Sequence, residues 1–171
     1  MNETRVVETA MNAQGESYIF SDAKKQGWDL AGHTITDLFF GEQCPPDMEQ
    51  PSKEIADKNF NLKPGQIRFF RSDIPNTKKL YDAMAFSERP ADIRDLFYHS
   101  TTTCDYIVVV EGELVMIVGD KDIHLKAGDV VIQRGAAHAW HNHTDKKASI
   151  MGIMIGIEPP SYFVRTDTVQ P

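Results

Sequence analysis

The sequence predicts an all-β fold, and three observations carry that prediction. Short runs rich in Val, Ile, Phe and Tyr, bounded by Gly, Pro, Asn or Asp, recur along the chain and read as strands. From Asp105 onward the runs DYIVVV, LVMIV, IHL, VVIQ, HAWHN and ASIMGIMIGI alternate with short turns, a rhythm that suits a closed barrel or sandwich of antiparallel strands better than an open sheet. One stretch alone, from Asn76 to about Phe86, carries helical spacing.

In chain order, the early strands are Arg5–Thr9, Ser17–Ser21, Thr34–Phe40 and Gln66–Ser72, closed by turn formers such as NAQG at 12–15 and PNT at 75–77. Between Cys44 and Gly65, Pro45, Pro46, Pro51 and Pro64 stand among many charges; proline lacks the N–H that a ladder needs, so this stretch is expected to be a surface loop. Asn76 can cap the helix, with Leu80, Tyr81 and Met84 along one side. The meander then places strands at 105–111, 113–118, 121–125, 130–133, 138–142 and 148–157. Gly112, Gly119, Gly128 and Gly135 fall at its turns, where Asp120 or Asp129 can bond back to the backbone.

Composition excludes several function classes. A chain of 171 residues, 41% hydrophobic, has material for one core, so one domain is expected. Lys and Arg number 18 against 25 Asp and Glu, a net charge of -7, and the basic residues do not cluster; no nucleic-acid partner is expected. The longest apolar run, Ile150 to Ile157, is far short of the ~20 residues that span a bilayer, so no membrane role is expected. The opening MNETRVVETAMNAQGE lacks a basic region followed by an apolar stretch, which points to the cytoplasm. Cys44 and Cys104 are isolated and read as inert thiols. No P-loop, dinucleotide fingerprint or HExxH motif occurs.

Two segments resemble the motifs of the cupin superfamily. In GDVVIQRGAAHAWHN, Gly128 opens a strand, Arg134 and Gly135 make a turn, and His138 is followed by Asn142, as in the second cupin motif. In HSTTTCDYIVVVEG, His99 and Gly112 hold their places in the first motif, whereas Thr101 stands where a second histidine belongs and Asp105 where a glutamate belongs. Arg134 or Gln133 replaces a common proline, and Ile93 replaces the preceding glycine. The pattern is most similar to a single-domain subfamily that includes fungal cupin-domain oxidoreductases. The resemblance implies a double-stranded β-helix, or jelly-roll barrel, with a core at 95–158, an N-terminal extension of strands, Pro-rich loop and short helix at 1–94, and a tail at 159–171. It also implies that small cupins pair through sheet edges and exchanged N-terminal strands, so a homodimer is expected.

Alternation in an extended strand puts His99, Thr101 and Asp105 on one face. In cupins that face looks into the barrel and meets the histidine of the second motif. The resemblance therefore implies that His99, Asp105 and His138 hold a divalent metal, iron(II) first, with manganese, nickel and zinc compatible with imidazole and carboxylate. The alternative needs no metal: His99 at a strand end, Asp105 accepting hydrogen bonds and His138 a buried bonded imidazole. The substrate pocket is expected to draw on Thr101, Tyr106, Met116, Gln133 and Trp140, with Tyr106 or Gln133 orienting the ligand and Trp140 walling it. His141 and His143 fall on the parity opposite to His138 and are expected at the surface; His124 is expected to be solvated, and His33 has no ligand partner within reach by spacing. Asn142 is expected to be a structural hydrogen bonder. Ser100 beside His99 faces the opposite way, which argues against a serine nucleophile, and Cys104 is expected outside the barrel. The leading expectation is a metal-dependent enzyme that oxidises, decarboxylates or isomerises a small organic molecule. The competing one is a metal-free small-molecule binding module, and a purely structural role comes third.

Overall fold

A computed structural model describes residues 3–46, 52–55, 58 and 60–166. Among them, eleven strands form three antiparallel sheets. β1 (Glu3–Met11) and β2 (Ser17–Gln26) make a two-stranded hairpin. β3 (Trp28–Leu30), β4 (His33–Gly41) and β5 (Ile67–Ile74) join β11 (Ala148–Gly156), β6 (Thr103–Glu111) and β9 (Val130–Arg134) in a six-stranded sheet of order β3-β4-β5-β11-β6-β9. β7 (Glu113–Val118), β8 (Lys121–Lys126) and β10 (Ala139–His141) make a three-stranded sheet of order β10-β7-β8.

The core lies between the two larger sheets. Phe40, Phe70, Ile74, Ile107, Val109, Ile150 and Met154 from one pack with Leu114, Met116 and Trp140 from the other in a single buried cluster. Such a layered arrangement buries one face of each sheet, so strands alternate: β6 runs buried at Thr103, Asp105, Ile107 and Val109 while Tyr106 and Val110 are exposed. The chain folds as the all-β jelly roll that its sequence predicts.

The meander turns behave as their residues require. Gly112, at φ +76, joins β6 to β7, and a Cβ there would stand 2.4 Å from the Lys147 carbonyl oxygen. After β8, Gly128 takes φ +98 and the Asp129 carboxylate accepts from the Lys126 N–H at 2.9 Å.

Two expectations need correction, beside one strand that the sequence did not reveal. The hairpin β1–β2 stands outside the two barrel sheets, and β3 was not anticipated. The helix α1 (Thr77–Ala83) starts as predicted, with Asn76 Oδ1 accepting from the Lys79 N–H, but stops early because Met84 is extended; Phe86–Glu88 is a separate 3-10 turn. The last predicted barrel strand before the C-terminal one, 138–142, shortens to β10 because both ends leave the sheet: His138 bridges to His99 and Asn142 to Asn76. Where described, the Pro-rich stretch contains no strand, in keeping with a loop; 47–51, 56–57 and 59 lie outside the described residues, as does 167–171 of the tail. Among the described residues no helix is long and apolar enough to cross a membrane.

Candidate functional site

Between the two sheets lies a cavity of about 430 Å³. Its deep wall is apolar, with Phe70, Ile74, Ile107, Trp140, Ile150 and Met154, and nearly half of its lining residues are polar, His33, His99, His138, Ser100, Thr101 and Asp105 among them. Polar groups converging beside an apolar wall are the usual build of a small-molecule site.

His99, Ser100 and Thr101 lie in the segment before β6, His138 just before β10, and His33 at the start of β4. His99 and His138 are held by a reciprocal backbone pair, each N–H donating to the other's carbonyl at 2.9 and 2.8 Å, and their rings lie 4.6 Å apart. His99 Nδ1–H donates to the Phe97 carbonyl at 2.7 Å. Phe97 takes φ +61, a left-handed conformation unusual for a bulky side chain, and its ring meets His33 edge-on at 4.8 Å. Both Phe97 and Ala31, the other non-glycine residue with positive φ, line the cavity.

Asp105 enters from the inner face of β6. It is 3% exposed, and its Oδ1 is buried with no hydrogen-bond partner. Burial pushes its pKa up to about 6, against the opposing pull of the Thr103 hydroxyl. His138 is pushed the other way: burial, then the neighbouring His99, holds its pKa down to about 3. His33 is held down to about 4, chiefly by burial, and its Nε2 is likewise buried and unbonded. At neutral pH the cavity thus presents the neutral imidazoles of His33 and His138 and a carboxyl group that titrates near pH 6, a combination able to take up and return a proton.

The predicted pocket residues have separate fates. Thr101 and Trp140 line the cavity with His99, Asp105 and His138. Thr101 Oγ1 is hydrogen-bonded to Thr103 Oγ1 at 2.7 Å. Met116 lies across from Trp140 in the β7–β10 register but packs in the core cluster rather than on the cavity wall. Gln133 is buried behind His138: its amide nitrogen donates to the Ala136 carbonyl at 2.7 Å and lies against His138 Nδ1, itself 3.0 Å from that carbonyl, while its Oε1 is left without a partner. Tyr106 points away from the cavity, 49% exposed on the outer face of β6, because it is one residue out of phase with Asp105.

His33 was missed. Sequence distance separates it from the other two histidines, yet β4 and the segment before β6 bring it to the same cavity. His141, expected at the surface, is buried, with Nε2 bonded to the Leu96 carbonyl at 3.0 Å; β10 lies where both its faces are covered, so parity does not sort its residues. His143 and His124 are exposed and Cys104 is only partly buried, outside the cavity lining. Asn142 makes the structural bonds expected of it, donating to the Ile74 and Lys146 carbonyls at 3.0 and 2.9 Å and accepting from Thr144.

The metal implied by the resemblance does not fit this donor set. His99, Asp105 and His138 share the cavity, but among the described residues no three His, Cys, Asp or Glu side chains are grouped so as to hold an ion. The position of the missing second histidine is occupied by the Thr101 hydroxyl, already paired with Thr103.

Comparison with known proteins agrees with this architecture. The cupin domain family model matches residues 90–155. Over 146 residues, 80% of this chain and 65% of the relative, the sequence is 31% identical to the cupin-domain-containing oxidoreductase srdD of Neurospora crassa. Over 47 residues, 26% of each chain, it is 49% identical to oryzines biosynthesis cluster protein J of Aspergillus oryzae. The chain therefore spans less than two thirds of either relative's length. Among solved structures, a Cupin 2 conserved barrel domain protein from Salinispora arenicola superposes with a TM-score of 0.43 and 10% identity, over 76% of this chain and 81% of that one. The chain is a cupin-type protein, with its cupin domain at residues 90–155.

Proposed function

We propose that the barrel cavity binds a small organic carbonyl compound and isomerises it by proton transfer through Asp105. One observation carries this reading: a carboxyl group with a pKa near 6 and an unbonded oxygen, set in the wall of an apolar cavity. An ionised Asp105 takes a proton from the carbon beside the carbonyl, and the C–H electron pair moves into a carbon–carbon double bond as the carbonyl becomes an enolate. Its oxygen accepts from the Nε2–H of His33, the imidazole nitrogen of the wall left without a partner. Where the compound carries a β,γ double bond, Asp105 then returns the proton to the γ-carbon, which moves the double bond into conjugation with the carbonyl, so no atom or electron is gained or lost. Of the reactions considered from sequence, isomerisation is the one that a carboxyl and imidazole set performs with its own groups.

The test is solvent-deuterium exchange followed by NMR, with a panel of aliphatic and aryl ketones and 2-oxo acids. The parent protein is expected to exchange the α-hydrogen of a bound compound with a pH inflection near 6, and Asp105→Asn to bind the same compound without exchange. Binding with no exchange in the parent would replace the enzyme by a binding module. A rise in melting temperature on adding iron(II), manganese, nickel or zinc after chelator treatment would restore the metal-dependent reading.

A homodimer is the assembly we infer, formed through the outer face of the six-stranded sheet. Ile132 and Val130 on β9, at its edge, are 62% and 66% exposed; Tyr106 on β6 is opposite Ile132, and Ile153 on β11 is opposite Tyr106. This contiguous apolar row crosses three strands, and a second copy offers the same row by two-fold symmetry. Light scattering at micromolar concentration that returns the monomer mass would overturn it.

A further inference from the structure

The charges around the cavity point to the chemical class of its occupant. Most of this chain's charge is acidic, with 25 Asp and Glu against 18 Lys and Arg. Around the cavity the balance inverts. Among the described lining residues the acidic side chain is Asp105, while Lys58 and Arg165 are cationic. These differ in depth as well as sign: Asp105 is buried, whereas Lys58, Arg165 and Asn61 are exposed, which puts the cations at the open end.

Local contacts hold both cations over that opening. The Lys58 ammonium lies 5.5 Å from the centroid of the Trp28 ring, a contact that places the charge without cancelling it. Arg165 Nη2 donates to Asn61 Oδ1 at 3.0 Å, so the guanidinium is anchored to another lining residue. The deep half is closed by Phe70, Ile74, Ile107, Trp140, Ile150 and Met154, which can bury hydrocarbon but offer nothing to an anion. An anion placed deep would also face the Asp105 carboxyl. Resting on the small-molecule reading of this cavity, we propose that its occupant is an organic carboxylate, its apolar body in the deep half and its carboxylate at the mouth between Lys58 and Arg165. A planar carboxylate suits the guanidinium fork, and the orientation leaves the far end of the molecule, not its charged group, against Asp105 and the histidines.

The experiment is titration calorimetry at pH 7 on the whole chain, with phenylacetate, 3-phenylpropanoate and octanoate compared with their uncharged amides. Each carboxylate is expected to bind about tenfold more tightly than its amide, with a preference that weakens as salt is added. In the Lys58→Gln, Arg165→Gln double variant, both exposed and so tolerant of change, the preference is expected to vanish while amide affinity is kept. Equal binding of acid and amide by the parent, or a preference that survives the double variant, overturns the carboxylate assignment and leaves the cavity reading standing. Failure of acids and amides alike to bind overturns both.

Discussion

The two faces of the six-stranded sheet are made from the same kinds of residue and do different work. On β6 the inner side chains Asp105, Ile107 and Val109 are buried, and the outer Tyr106 and Val110 are exposed; on β11 Ile150 and Met154 are buried and Ile153 is exposed. The inner face supplies core and cavity, while the outer face keeps an apolar row with no covering element. Hydrophobicity does not separate them. What separates them is the three-stranded sheet, which packs against one side only, so that Asp105 loses its water and Tyr106 keeps it.

The largest effects should come from breaking the inner face. Ile150→Ala removes a side chain from the center of the core and should cost ~2–5 kcal/mol in chemical denaturation, whereas Ile153→Ala, three residues along on the outer face, should cost under ~1 kcal/mol. Equal costs would mean that the outer face is covered in the folded protein. Next comes Asp105. Its folded pKa of about 6 against an ordinary 3.8 means that the ionised carboxylate opposes folding at pH 7, so Asp105→Asn should raise stability by ~1–3 kcal/mol while abolishing proton exchange on a bound ligand. A destabilised variant would make Asp105 a structural residue.

Titration sharpens the same contrast. His138 and His33, held to about 3 and about 4 in the fold against an ordinary 6.5, gain protons on unfolding, so each adds stability as pH rises from about 4 to about 6.5. Asp105 behaves oppositely: between pH 3.8 and about 6 the folded state holds the proton that the unfolded state has lost, and stability falls as pH rises. His141, also held down by burial, acts in the same direction as His138 and His33, so stability rises with pH in that window, and Asp105→Asn should steepen the rise by roughly 1.4 kcal/mol per pH unit. Urea midpoints at pH 4.5, 5.5 and 6.5 read this slope directly, and an unchanged slope in the variant would deny Asp105 its raised pKa. The smallest effect on stability belongs to the outer row. Ile132→Lys should shift the denaturation midpoint by under ~0.5 kcal/mol and yet halve the mass by light scattering, because the residue meets solvent or a partner but not the core.

Much of the barrel was legible because its signals are local. Short apolar runs marked β6 and β11, glycines marked the turns after β6, β7, β8 and β9, and Asn76 marked the start of α1; each depends on residues a few positions apart. Parity also placed His99, Thr101 and Asp105 on the cavity. It failed where a strand is too short to hold a phase. β10 has three residues, all buried, so His141 went inside although alternation put it out. Ligand geometry is not legible in the same way: sharing a face brings donors to one cavity, but grouping them around one point requires distances across strands that no spacing encodes.

By itself the sequence determined most of the longer strands, where they turn, and which side chains of β6 share a face, because backbone geometry repeats every two residues and glycine and proline act where they stand. Only the tertiary structure decided that His33 joins His99 and His138, that Lys58 and Arg165 close over the same opening, and that Asp105 sits where its carboxyl is pushed up to about 6. Those outcomes depend on desolvation and on contacts between residues far apart in the chain, which exist only once the sheets have packed.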